Sequence, residues 1–359
     1  MLINDQSLRK FVAEIIRRMG SEDDEANLVA DHLVLANLSG HDSHGVGLIP
    51  NYIRHFSAGL IKPNTAAKLV TDDGAIMVFD GGLGYGRRVG GEAMAAGIDR
   101  CRDTGVVLMG LRGPHHIGRV GAYGEIALAA GMVSIHFVNV VDHDPVVAPF
   151  GGTDGRFVTN PVCVAVPGTE NTPPVLLDMA TSKIAVGKAR VAMMRGDQLA
   201  DGMALAPGGK PTNDPNELFG NPRGALLPFG EHKGSGLALI CELLAGVLTG
   251  GGTIQPGNPR KSGVINHMLT IIVDPARLVD LDWMRAEIDA TIAYVKDSPV
   301  ADPAKPVLTA GDPERAARAQ RSRDGIQIED ATWEAMLDGG ETLGLPRAEA
   351  LALAGVSVT

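Results

Sequence analysis

Gly82-Leu83-Gly84-Tyr85-Gly86-Arg87-Arg88-Val89-Gly90 decides how this chain is read, because it follows an apolar run, Ala75-Ile76-Met77-Val78-Phe79, and precedes a helical stretch. That setting matches a dinucleotide-binding fingerprint, in which glycines let a helix N-terminus approach a pyrophosphate. Three features argue against the match. The glycine spacing is irregular, two arginines occupy the turn, and the next strand, Val106-Val107-Leu108-Met109-Gly110-Leu111-Arg112, ends without an acidic residue to hold a ribose. The run is therefore read as a strand-to-helix turn near a site.

On the N-terminal side of that turn the pattern is helical. Leu8, Phe11, Val12, Ile15, Ile16 and Met19 share one helical face before Gly20. Ser21 with Asp24 resembles a capping box that opens a second helix ending at Gly40, and a third helix is expected over 52–57. On the C-terminal side, strands expected at 75–79, 106–112, 132–139, 162–166, 175–178 and 268–273 mix with helices at 92–103, 120–130, 184–194 and 235–248. Helix returns at 283–295 and in a polar, Arg-rich stretch after Pro313. Two glycine- and proline-containing stretches, 199–232 and 249–263, read as surface loops or flaps.

The chain has 359 residues, of which 45% are hydrophobic and 21% charged, enough to bury a large core in two or more domains. A net charge of −10, with no run of Lys and Arg, argues against a nucleic-acid partner. No basic and apolar leader opens the chain and no apolar stretch reaches membrane-spanning length, so a cytoplasmic protein without a membrane partner is expected. Cys101, Cys163 and Cys241 stand far apart among apolar neighbours and read as small core residues. Glycine, at 46 residues, is over-represented, which implies many tight turns and close backbone approaches.

Chemistry concentrates in a few short stretches. His41-Asp42-Ser43-His44-Gly45 follows the second helix directly. A helix C-terminus carries about half a negative charge, so His41 or His44 is expected to be a proton donor near neutral pH, unless Asp42 or Ser43 simply caps the next helix. Pro114-His115-His116-Ile117-Gly118-Arg119 ends a strand, where α/β proteins place chemistry; one of its imidazoles is expected to be catalytic and the other structural. Asp178 ends an apolar run before Ala180-Thr181-Ser182, a place suited to an ionised carboxylate that orients a His, with Ser182 capping the helix that follows. Phe229-Gly230-Glu231-His232-Lys233-Gly234-Ser235-Gly236 opens a helix as a serviceable phosphate cradle. The four imidazoles could instead bind a metal, but no Glu-x-x-His or His-x-His pattern accompanies them. A Ser43–His44–Asp178 hydrolase lacks the Gly-x-Ser-x-Gly elbow.

Together with Thr159-Asn160-Pro161 and Asp178-Met179-Ala180-Thr181-Ser182, these motifs resemble, in order and over nearly the full length, the malate/L-lactate dehydrogenase family unrelated to the Rossmann enzymes. Ureidoglycolate and sulfolactate dehydrogenases and piperideine-2-carboxylate reductase belong to it. Val133-Ser134-Ile135-His136-Phe137-Val138 and Asp324-Gly325-Ile326 point to its hydroxycarboxylate dehydrogenase branch, which reduces phenylpyruvate, hydroxyphenylpyruvate and 2-oxoglutarate. The resemblance implies an α/β (α+β) fold: a non-Rossmann nicotinamide-binding domain over 75–280 with a largely antiparallel central sheet, plus a helical domain formed by 1–74 and 281–359, in a homodimer. It also implies NAD or NADP as cofactor, a small 2-oxo or 2-hydroxy acid as substrate, and no metal. His44, supported by Ser43 and paired with Asp178, would meet substrate and nicotinamide, and His116 would be the second acid/base candidate. Cofactor contacts would come from His44, Gly118, Thr159, Asp178, Met179, Ala180, His232, Lys233, Asn266, Gly311, Asp312 and Pro313. Several relatives carry an Arg four residues after the site His to hold the substrate carboxylate; here that position is Leu48, and Arg54 is the substitute the sequence offers. Two other readings stay open, an NADPH-dependent reductase of a cyclic imine 2-carboxylate and a metal-binding protein that uses the His clusters.

Overall fold

The computed structural model describes residues 1–356. Its centre is a seven-stranded sheet of β1 (Lys68–Asp73), β2 (Ile76–Asp80), β3 (Val106–Arg112), β4 (Val133–Val141), β5 (Val162–Val166), β6 (Val175–Met179) and β7 (Ile265–Val273). The spatial order is β1-β2-β3-β7-β4-β5-β6, and only β2 and β3 run parallel. The expected antiparallel-dominated sheet is therefore present. β7 lies between β3 and β4, pairing Met268 with Leu111 on one side and with Val138 on the other. β1 was not foreseen, because Lys68-Leu69-Val70-Thr71-Asp72-Asp73 is exposed along its whole length and carries no buried face for a pattern to report.

Helices α1 (Asp5–Arg18), α2 (Asp23–Leu38) and α3 (Ile49–Ser57) form the N-terminal part. Asn4 caps α1 by accepting hydrogen bonds from Gln6 N and Ser7 N, and Leu8, Phe11, Val12, Ile15 and Ile16 form its buried stripe. α2 starts differently from the expected capping box. Ser21 gives its hydroxyl to Glu25 at 2.6 Å, and Glu22, the capping residue, makes no side-chain cap.

Around the sheet lie α4 (Gly86–Thr104), α5 (Gly121–Ala129), α6 (Val186–Arg195) and α7 (His232–Cys241). α7 runs on into a π-helical turn, Glu242–Val247, in place of a plain helix to 248. The 199–232 stretch carries a small sheet of its own, Ala204–Leu205 pairing with Ala225–Leu226 and Pro211–Thr212. The C-terminal part holds α8 (Leu281–Lys296), α9 (Asp312–Asp324), α10 (Asp330–Thr342) and α11 (Arg347–Leu353), of which the sequence reading missed α10 and α11. Leu337, Met336, Trp333 and Ile326 join Phe11, Leu33 and Ile49 in one core, with Phe11 and Trp333 rings 5.1 Å apart. Both chain ends thus build one helical body, while a second core lines the sheet beneath α4 and α5.

The glycine run that opened the question proves to be a packing device. α4 starts at Gly86, where a Cβ would stand 2.5 Å from the carbonyl oxygen of His116 and from Ile117 Cα. One turn later, a Cβ on Gly90 would meet the Tyr123 ring at 2.5 Å. The helix presses its backbone against the end of β3, which only residues without a side chain allow. Gly86→Ala should therefore cost about 1–3 kcal/mol through overpacking, whereas Gly91→Ala, whose nearest neighbour is Arg87 Nη1 at 3.8 Å, should be neutral or gain up to about 1 kcal/mol in the helix. Urea midpoints of the two variants check this; equal shifts would contradict it.

Candidate active site

The His41–Gly45 loop is pinned from both sides. Asn37 donates through Nδ2 to Asp42 Oδ1 at 2.7 Å and accepts Val46 N at 2.8 Å, and Arg321 of α9 grips the Asp42 carboxylate at 2.6 and 3.0 Å. His41 pairs with Glu314 of α9 at 3.1 Å. Two of the loop's charged residues are thus structural, and His44 is the imidazole left facing the site. Its Nδ1 shares a 3.0 Å hydrogen bond with Ser43 Oγ, and its ring stacks on His116, centroids 5.6 Å apart and planes 16° from parallel.

The two adjacent histidines separate cleanly. His115 is fully buried, its Nε2 2.8 Å from His55 Nδ1 of α3. His116 is half-buried, faces His44, and its Nδ1 shares a 2.9 Å hydrogen bond with the Tyr52 hydroxyl. The segment carrying them is held by its backbone. Ile117 N donates to Asn266 Oδ1 at 3.0 Å, and Ile117 O accepts from Tyr123 Oη at 2.7 Å and lies 3.1 Å from His32 Nε2. Gly118 has φ +72°, and a Cβ there would stand 1.9 Å from His32 Nε2. Asn266 also gives Nδ2 to Asn139 O, so this buried amide ties the His loop to β4 with both its ends occupied within the protein.

Asp178 ends β6, where its Oδ2 accepts from Gly121 N at 2.7 Å, at the N-terminus of α5. It makes no hydrogen bond to His44 among the described residues, so the expected pairing is replaced by a helix anchor. Ser182 does not cap α6; its hydroxyl donates to Ile184 O at 2.7 Å. Arg54 reaches only its neighbour His55, at 3.3 Å, and Leu48 packs against the helical core. Asp312 is held by Thr309, Lys296 and Arg315 at the start of α9, with Gly311 in a left-handed conformation before it and Pro313 in the first turn, so that segment is a helix cap. Arg119, the last residue of the second His motif, has a place in the site that its sequence neighbours did not assign. Its side chain is 1% exposed, bound to Glu125 at 2.6 Å and 3.9 Å from Asp178, with Nε and Nη1 left without an acceptor. A lone Arg in the glycine-punctuated apolar stretch after His116 was the available signal.

These surroundings overturn the expectation of a protonated imidazole where it falls on His44. Burial, then the nearby His41 and Arg119, push His44 down to about 4, and burial with His44 and other imidazoles holds His116 well below the usual range. Both are neutral at pH 7. Burial raises Asp178, opposed by His41, Arg119 and the Gly121 N–H. All three cysteines are buried with raised thiol pKa values, Cys241 to about 12.

A second cluster lies beyond Asp178. Thr181 donates to Thr159 O at 2.8 Å through its backbone and accepts from Phe229 N at 3.0 Å, which ties Thr159, Met179 and Ala180 to the start of α7. There Gly230 and Glu231 have φ of 51° and 58°, and His232 and Lys233 are exposed. The positive end of a helix with an adjacent ammonium fits a dinucleotide's phosphates. Among the described residues no three His, Cys, Asp or Glu lie close enough to hold a metal ion.

The family model for malate/L-lactate dehydrogenase matches residues 3–337. The chain belongs to this family. It is 44% identical to an L-lactate dehydrogenase of Cupriavidus necator over 333 residues, covering 93% of this chain and 95% of that protein. It is also 44% identical to hydroxycarboxylate dehydrogenase B of Escherichia coli over 343 residues, 95% and 94% of the two chains. A solved structure from E. coli, described as a malate/lactate dehydrogenase, superposes with a TM-score of 0.94 at 42% identity, over 99% of both chains. This family member is thus a hydroxy acid oxidoreductase of the nicotinamide-dependent type, and no helix among its described residues is long and apolar enough to cross a membrane.

Neutral buried imidazoles make stability depend on pH. Burial depresses His136, between Ser134 and Thr270, to about 3 in the fold, against an ordinary 6.5, and His32 and His115 likewise. The unfolded chain binds more protons in that window, so stability rises with pH and is lost as pH falls below 6.5. Each group removes up to about 1.4 kcal/mol per pH unit. The urea midpoint should fall steadily from pH 7 to about 5; a level midpoint would contradict the assignment.

Proposed function

We propose that this protein interconverts 2-oxo and 2-hydroxy acids with NAD or NADP, and that the stacked His44–His116 pair handles the proton. The pair itself carries the reading: two neutral, half-buried imidazoles face each other in a family member, each oriented at Nδ1 by a hydroxyl, Ser43 or Tyr52. Orientation at Nδ1 leaves each Nε2 available to the substrate. Bound nicotinamide would supply the hydride to the substrate's C2 or take it from there. Asp178 to Ala180, Thr159, His232 and Lys233 would hold the dinucleotide, and the buried Arg119–Asp178 pair would stiffen the floor between the two clusters.

In the oxidation direction a neutral imidazole accepts the hydroxyl proton as the hydride leaves. In the reduction direction, an anionic substrate drawn against the rings stabilises their charged form, so the imidazole is loaded with the proton it donates. Leu48, where relatives carry an Arg, makes this end of the pocket apolar and favours aromatic or aliphatic 2-oxo acids over those with a second carboxylate. A homodimer completes the proposal. The face of α7 and its π-helical turn leaves Leu239, Leu243, Val247 and Leu248 exposed, and α8 leaves Trp283 and Tyr294 exposed, a surface suited to a second copy.

His44→Ala and His116→Ala, assayed by nicotinamide absorbance against phenylpyruvate, pyruvate, oxaloacetate, 2-oxoglutarate and one cyclic imine, should show the acid/base role. At least one should lower kcat by about 10² to 10⁴ while fluorescence-detected nicotinamide binding holds. Two variants with wild-type kcat would sink the assignment. Because the free imidazoles titrate far below 6.5, kcat/KM for oxidation of a 2-hydroxy acid should stay level down to about pH 5.5 and fall only as pH approaches the His44 value of about 4. A limb at or above 6.5 would point to a different base.

A further inference from the structure

A cationic cleft lies beside α6. Its walls are the apolar Val186, Leu218 and Phe219, its charged groups are Arg190 and Arg223, and His143 stands between them; no acidic side chain lines it. In a chain of net charge −10 that is an unusual concentration of positive charge. Neither guanidinium has a hydrogen-bonded carboxylate partner among the described residues. Arg190 lies over the Phe219 ring, 5.5 Å from its centroid, with no carboxylate within 4 Å among the described residues. Arg223 has only the exposed Asp144, 3.8 Å away and beyond hydrogen-bonding distance. The Phe219 ring supports the Arg190 guanidinium, and the forked donors of two arginines suit a carboxylate better than a point charge would.

The cleft adjoins the candidate active site along two elements. α6 touches the catalytic loop one turn before Arg190, since a Cβ on Gly187 would stand 2.5 Å from Ser43 Cβ, and Val186 beside it lines the cleft. His143 lies two residues beyond β4, whose Val141 pairs with Ile265, which in turn bridges to His115.

We propose that this cleft binds a carboxylate carried on an apolar or aromatic body, with Arg190 and Arg223 as its charge partners and Phe219 and Leu218 as its apolar wall. Leu48 leaves the helical side of the pocket without a cation, and this pair supplies one from the opposite side. That the carboxylate belongs to the substrate rests on the proposed 2-oxo acid chemistry; the binding itself does not.

Phenylacetate, which presents the carboxylate and ring but has no reducible carbonyl, is the probe. Calorimetric titration should show that it binds the wild-type protein, that neutral phenylacetamide binds at least about tenfold more weakly, and that Arg190→Gln and Arg223→Gln each raise the phenylacetate Kd by at least about tenfold. Both arginines are exposed, so the variants keep the core intact. No binding by the wild type, or unchanged affinity in both variants, overturns the proposal. His44→Ala should keep phenylacetate binding within about threefold, which separates this site from the proton-transfer pair; absence of turnover on every 2-oxo acid would defeat the dehydrogenase reading and leave the binding result standing. Inhibition competitive with phenylpyruvate, with KM raised and kcat held in Arg190→Gln, assigns the group to the substrate. Binding without competition assigns it to a separate organic acid ligand.

Discussion

The fold depends on holding the short segment after β3, His115 to Gly118, by its backbone while leaving one of its side chains free. A strand end cannot be rigid and open at once unless the neighbours that grip it use little volume. Here Gly86 brings the α4 backbone against it, Asn266 and Tyr123 bond its amide and carbonyl, and Gly118 lets His32 come close. His116 is the imidazole of the segment that faces His44, while His115 turns into the core.

The same grip explains the electrostatics. Close packing strips water from several imidazoles at once, and a charge on any one ring opposes charging its neighbours. The helix-end field that would favour a protonated His44 is a partial charge acting over a few ångströms, whereas burial beside His41 and Arg119 acts directly on the ring. Desolvation wins, and the resting site holds neutral groups that a bound anion can charge.

Much of this was legible because chemistry-bearing residues cluster along the chain. The two His motifs, Asp178 and the α7 start stand out by composition, and the largely antiparallel sheet followed from the resemblance they carry. What could not be read was which partner each residue meets. His115 and His116 are equivalent in sequence; His55 and Tyr52, sixty-odd residues away, tell them apart. Ser21 and Ser182 look like caps until their hydroxyls are seen to donate to Glu25 and Ile184. Asn266 and Asp312 matched cofactor positions, yet packing turned both toward the protein. Arg119 hides because a single Arg among apolar neighbours ordinarily signals a surface position.

The two margins of the central sheet bear on how copies of this chain can meet. β1 presents Lys68, Asp72 and Asp73 on a margin that a bulge between Leu69 and Thr71 throws out of register. At the other margin Leu176 N is already taken by Ala310 O, from the segment leading into α9. Neither offers a clean row of free amides and carbonyls to an incoming strand. Both margins therefore disfavour growth of the sheet by strand addition.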